Sequence, residues 1–92
     1  MTNLRFEWDN NKAKQNRIKH RVAFEEAVSV FGDHLSMTIA DPMHSEQEHR
    51  LITIGKSKQE RLLVVSHTDR NNKVRIISAR KASRVERKKY EE

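Results

Sequence analysis

Four consecutive apolar residues, Leu62-Leu63-Val64-Val65, interrupt a chain in which 35% of the residues are charged. A strand that is apolar on both faces must be covered on both faces, so Arg61 to Thr68 reads as the central strand of a sheet. The segments around it alternate with period two. Glu48 to Gly55 places Ile52 and Ile54 on one face, and Lys73 to Ser78 carries Val74, Ile76 and Ile77. The Asp69-Arg70-Asn71-Asn72 turn between two of these strands suits a hairpin, because Asn and Asp tolerate positive φ. Further upstream, Leu35, Met37 and Ile39 alternate with Ser36 and Thr38 until Asp41-Pro42 breaks the pattern.

The N-terminal third reads differently. Leu4 to Trp8 is a short strand with Leu4, Phe6 and Trp8 on one face. Asp9 is a good N-cap for a polar helix of about Asn10 to Lys19, which has only Ala13 and Ile18 to bury. Val22 to Phe31 repeats Phe24, Ala27, Val28 and Phe31 at helical spacing, and Gly32 suits its C-terminal cap. At the other end, Ser78 is placed to cap a last helix running to Tyr90. The element order is β-α-α-β-β-β-β-α. Consecutive strands joined by short turns imply an antiparallel sheet, and segregated helices imply an α+β fold. With 92 residues, the expectation is a single domain spanning 1–92.

Charge narrows the function. The net charge is +6, unevenly spread. Residues 1–21 carry a net +4, residues 22–70 a net −3 and residues 71–92 a net +5. Two basic ends that converge in space would form one anion-binding face, and so dense a charge favours a polyanion or an acidic partner. There is no apolar run long enough to span a membrane and no apolar signal region. The chain lacks cysteine, which leaves no disulfide framework and no thiol nucleophile and fits a cytoplasmic setting. No metal-ligand spacing, phosphate-binding Gly-rich loop or Ser-His-Asp order occurs, so no metal and no cofactor are expected.

Phosphate chemistry then falls to particular side chains. Arg50, Arg61, Arg75 and Arg80 lie in or at the ends of successive strands, where antiparallel pairing brings such residues within reach of each other. Arginine forks onto phosphate oxygens and can stabilise a pentacovalent transition state. The plainer alternative is that each pairs with a glutamate. His20 ends the basic first helix, as a proton-transfer group or simply as a cation favourable to the helix dipole. Glu48 alternates onto the face of Arg50, as a general base or as an ordinary ion-pair partner. Tyr90 either stacks on a base or hydrogen-bonds a phosphate, or anchors the last helix, and Lys19, Lys81, Arg84 and Lys88 supply further positive charge.

Several segments together resemble one family. They are Phe6-Glu7-Trp8-Asp9, Asn16 with Lys19-His20, Val22 with Phe24-Glu25-Glu26-Ala27, Phe31-x-Asp33, Asp41 and Glu48-x-Arg50. Ile54-Gly55, Arg61-x-Leu63-x-Val65, Arg75-Ile76-Ile77-Ser78-Ala79-Arg80-x-Ala82 and Glu86-x-x-x-Tyr90 continue the series over nearly the whole chain. This order of blocks resembles the BrnT toxins, with Arg21 where that family often has Gly after Lys-His. The resemblance implies a RelE-like fold and a ribonuclease that inhibits translation. It also implies a BrnA-like ribbon-helix-helix antitoxin, binding as two toxins with two antitoxins and contacting operator DNA. On that basis the expected activity is metal-independent RNA cleavage with Arg50, Arg61, Arg80, Glu48 and His20 as catalytic residues. Lys19, Arg75, Lys81, Arg84, Lys88 and Tyr90 would bind RNA. A non-enzymatic basic module that binds nucleic acid or an antitoxin is the alternative.

Overall fold

The computed structural model describes residues 5–43 and 49–92. Along the chain run β1 (Arg5–Glu7), α1 (Asn10–His20), α2 (Phe24–Val30), β2 (Met37–Ala40), β3 (Arg50–Lys56), β4 (Leu62–Arg70), β5 (Lys73–Lys81) and α3 (Arg84–Glu91). The strands form one sheet in the order β1-β5-β4-β3-β2, so β4 is central, as its apolar run requires. Neighbours from β2 to β5 are antiparallel, but β1 pairs with β5 in parallel. The α+β order and the antiparallel pairing of β2 to β5 are as expected, and the parallel pairing of β1 departs from that expectation. A tight turn forces antiparallel neighbours, whereas β1 and β5 are separated by most of the chain.

Each face of β4 has its own core. Leu63 and Val65 point to α1 and α2, where they join Val22, Phe24, Ala27, Val30, Ile76 and Ala79, with Phe6, Trp8 and Phe31 at the margin. Leu62 and Val64 point the other way, with Ile54, Ile52, Ala82 and Tyr90. Among the described residues, that second face is covered at one end, by α3.

The helices show what binds them. Asp9 caps α1 by accepting from the Asn11 N–H at 2.7 Å and the Lys12 N–H at 3.2 Å. Ile18 is 82% exposed rather than buried, and the residue α1 buries instead is Asn16. Its amide donates to the carbonyls of Val22 at 2.9 Å and Ala79 at 2.8 Å, and its Oδ1 accepts from the Ala79 N–H at 3.1 Å. Arg21 ends α1 with φ 59°, the left-handed conformation that favours Gly at this point. α2 starts at Phe24, two residues later than expected, and Phe31 closes it in a right-handed conformation, so Gly32 provides no left-handed cap. The glycine that matters is Gly55, where an added Cβ would stand 2.8 Å from Val30 Cγ1 and 3.0 Å from Ser36 Cβ. Its absence lets the end of α2 lie directly on β3.

The β4–β5 hairpin turns on Asn71 and Asn72, with φ of 52° and 63°. β5 then continues past Ser78 to Lys81, because its pairing with β4 persists to Leu63. Ser83, not Ser78, caps α3. Its hydroxyl accepts from the Glu86 N–H at 3.2 Å while the Glu86 carboxylate accepts from the Ser83 N–H at 2.8 Å.

Candidate nucleic-acid interface

The β4–β5 ladder slips between Ser66 and His67. Ser66 pairs with Ser78 and His67 with Ile76, which leaves Ile77 as an extra residue on β5, a β-bulge. Arg75 and Arg80 are an odd number of residues apart and would face opposite sides of a regular strand. With the bulge, Arg75 pairs with Thr68 and Arg80 with Val64, and those two share a face. Arg50 meets Thr68 from β3. Arg50, Arg75 and Arg80 therefore stand on the side that α1 and α2 leave open. Arg50 and Arg75 mark one end of it and Arg80 the other, about 13 Å along the strands at the usual strand rise. Between them lie Ser66 and Ser78, side by side across the strands, with Thr68 in the arginine row.

The three arginines are held differently. Arg75 Nη1 lies 3.4 Å from Glu7 Oε2, and Lys73 Nζ lies 3.9 Å from Glu7 Oε1. Arg80 forks onto Glu86, with Nη1 donating to Oε1 at 2.8 Å and Nη2 to Oε2 at 2.7 Å. Hydrogen bonding from Arg80 is the main reason that the Glu86 carboxyl is held down to about 2. Arg50 opens β3 and is half-buried.

Arg61 does not join them. It lies on the helix side and grips Glu26 of α2: its Nε donates to Glu26 Oε2 at 2.9 Å and its Nη2 to Oε1. The same Nη2 donates to the Arg21 carbonyl at 3.1 Å. Ser57 donates a further hydrogen bond to Glu26 at 2.7 Å. Bonding from Arg61 keeps the Glu26 carboxyl below the usual range although its side chain is only 4% exposed. The expected meeting of Arg61 with Arg50 and Arg80 fails because Arg61 precedes β4 and turns back to a buried carboxylate.

The remaining candidates divide in the same way. His20 ends α1 on the helix side, half-buried, with Lys19 exposed beside it. Because Asn16 fixes α1 to Ala79, these residues approach the end of β5 that carries Arg80 and Lys81 and leads into Arg84. The two basic ends of the chain do come together there. Lys88 is exposed on the last turn of α3. Tyr90 anchors: it packs against Ile54, Leu62 and Val64, and its hydroxyl donates to Asp33 Oδ2 at 2.5 Å. That bond pushes the Tyr90 hydroxyl up to about 12. Burial pushes Asp33 upward, but the Lys56 N–H, the Tyr90 hydroxyl and the Leu35 N–H outweigh it and hold the carboxyl below its ordinary value. Glu48 lies outside the described residues.

The residues that sequence reasoning missed are the hydroxyls of Ser66, Ser78 and Thr68. Ser78 reads as a helix cap until the bulge is known. The one trace of the bulge is the Ile76-Ile77 doublet in an otherwise alternating strand.

A family model described as "Ribonuclease toxin, BrnT, of type II toxin-antitoxin system" matches residues 8–86. The chain belongs to the BrnT toxin family. A crystal structure of the Brucella abortus ribonuclease toxin BrnT has a similar fold, with a TM-score of 0.65 over 89% of this chain and 100% of that one, at 22% identity. No curated protein matches by sequence. As a BrnT ribonuclease toxin, the chain acts on RNA and answers to an antitoxin. The BrnT match takes in Arg50, Arg75 and Arg80 and stops before Lys88 and Tyr90. Among the described residues, no helix is long and apolar enough to cross a membrane.

Proposed function

We propose that this chain is a single-domain, metal-independent RNA endonuclease whose substrate lies across the open half of the sheet. The observation that carries this reading is the bulge at Ile77, which turns Arg75 and Arg80 to the same side as Arg50. In the reaction, the 2′-hydroxyl attacks the adjacent phosphorus, the bond to the 5′-oxygen breaks, and a 2′,3′-cyclic phosphate and a 5′-hydroxyl result. A base takes the proton from the 2′-hydroxyl and an acid returns one to the leaving oxygen. The nucleophile belongs to the substrate, so no metal-bound water is needed. Arg50 and Arg80 hold the phosphate oxygens and meet the charge that builds on them. To do so, Arg80 exchanges a Glu86 oxygen for a phosphate oxygen. Arg75, Lys81, Arg84 and Lys88 grip the backbone on either side, with Lys19 at the rim. Glu48 and His20 are the groups assigned to move protons. Arg61 supports the site from behind by fixing α2 rather than by touching RNA.

The protein works in the cytoplasm, where cleaved RNA stops translation. Its partner is a BrnA-like ribbon-helix-helix antitoxin, joined as two toxins with two antitoxins, which carries the pair to operator DNA. The test is cleavage of an RNA oligonucleotide and of the same oligonucleotide with a single 2′-deoxy nucleotide at the scissile position, each with and without EDTA. Cleavage of the RNA alone, undiminished by EDTA, is expected. Cleavage of the deoxy substrate would rule out the 2′-hydroxyl route, and loss in EDTA would rule out metal independence.

A further inference from the structure

β2 is the outer strand of the sheet, and all four of its residues are exposed. Residues 35–40 carry no charge, in a chain where 35% of residues do. Of the other long uncharged runs, 62–68 is mostly buried and 27–32 buries Ala27 and Val30 and exposes Gly32 alone. A free strand edge is normally guarded by a charge, a proline or a bulge, and residues 37–40 have none of these. Leu35 is 70% exposed and Ile39 57%. By register, Met37 and Ile39 share the face of Ile54 and Ile52, so they carry the smaller apolar cluster out to the margin of the sheet. On that same face Arg50 and Lys56 stand at the two ends of β3, just past the residues that β2 pairs. They are about 20 Å apart at the usual strand rise.

We propose that the β2 edge receives an extended segment of the antitoxin as a sixth strand, apolar at alternate residues and carrying a carboxylate at each end. Main-chain hydrogen bonds to β2 supply the pairing, and the alternate apolar side chains continue the strip of Met37 and Ile39. The terminal carboxylates face Arg50 and Lys56. The segment thus reaches the Arg50 end of the RNA face without lying across it. A second copy of this chain is a poorer occupant. Two copies of charge +6 repel. Among the described residues, paired β2 edges would bring up Asp33 and Asp41. Asp33 already accepts from the Leu35 and Lys56 N–H groups and from Tyr90, and Asp41 accepts from the Met43 N–H.

The proposal rests on the reading that an antitoxin binds this chain, and its test keeps the two apart. The probe is a short blocked peptide of alternating valine and threonine with glutamate at both ends. Hydrogen exchange at the amides of residues 37–40 should slow when it binds. Ile39→Lys should weaken binding by about tenfold or more, and lysine in place of the terminal glutamates should weaken it similarly. Ile39 is exposed and takes no part in the proposed chemistry, so the variant should fold and still cleave RNA. Equal binding of the two peptides, or indifference to Ile39→Lys, would overturn the proposal. Concentration-dependent dimerisation of the chain alone, abolished by Ile39→Lys, would give the edge to a second copy instead. In cells, Ile39→Lys should stay toxic when the antitoxin is co-expressed. Failure of the antitoxin to neutralise even the parent chain would remove the underlying reading rather than the edge assignment.

Discussion

Arg75 and Arg80 face the same side of the sheet because Ile77, between them, has no partner residue of its own on β4. The bulge thereby separates two tasks along one strand. Arg75 sits with Glu7 and Lys73, in a mixed-charge group suited to gripping a backbone. Arg80 sits near the end of β5 with a fork onto Glu86 of α3 already formed. Arg80→Ala is expected to lower the cleavage rate by about 10²–10³-fold while the protein stays folded. Arg75→Ala should weaken RNA binding and reduce the salt slope by about one. Single-turnover kinetics and a salt titration of binding measure the two effects. Full activity of Arg80→Ala would end its assignment.

Arg61 should behave as a stability residue. Its removal leaves the Glu26 carboxylate buried with Ser57 as its remaining side-chain donor, at a cost of about 3 kcal/mol. Urea denaturation of Arg61→Ala would measure it. Arg61→Lys should recover only part of the loss, since an ammonium cannot reach both Glu26 oxygens and the Arg21 carbonyl in a fork. An Arg61→Ala protein that keeps its stability but loses cleavage would return this residue to the catalytic set.

Tyr90→Phe removes a hydrogen bond and leaves the ring in place. The expected loss is about 1 kcal/mol of stability, with RNA affinity unchanged. Tyr90 is the single tyrosine of the chain, so its ionisation can be followed directly by ultraviolet absorbance, with a midpoint near 12. A Tyr90→Phe variant that binds RNA several-fold more weakly at unchanged stability would make the side chain a substrate contact.

His67 sets a pH dependence. Its Nε2 shares a hydrogen bond with the Thr53 hydroxyl at 2.7 Å, Phe31 packs edge-on at 4.9 Å, and Nδ1 is buried with no hydrogen-bond partner among the described residues. Burial lowers its pKa, partly opposed by Asp69. The folded state thus holds the neutral ring while the unfolded chain protonates more readily. Stability contributed by this group is complete above the unfolded value of about 6.5 and is lost as pH falls from there toward the folded value. Unfolding free energy measured from pH 7.5 to 5.5 should therefore decline, and His67→Gln should flatten the decline. An unchanged slope in that variant would assign the effect to other groups.

The strands of this fold are legible because their apolar residues are periodic, and β4 is placed at the centre by being apolar on both faces. What escapes is decided across the chain rather than along it. Ser78 has the look of a cap in its local sequence, yet Ser66 on the neighbouring strand keeps it in the sheet. Ile18 is the obvious apolar residue of α1, yet Asn16 is the one that finds partners, because Ala79 offers both a carbonyl and an N–H. The arginines are legible as a set. Their division into Arg50, Arg75 and Arg80 on one face and Arg61 on the other depends on the bulge and on Glu26, thirty-five residues from Arg61.

The Asn16 bridge also bears on when the toxin becomes a toxin. α1 has almost no apolar surface of its own, and the strand that holds it lies 63 residues downstream. On a ribosome making the chain from its N-terminus, the first helix waits for β5 to emerge before it can settle. β5 is also the strand that delivers Arg75 and Arg80. Until β5 has emerged, neither the seat of the first helix nor the arginine face exists, so the same strand completes both.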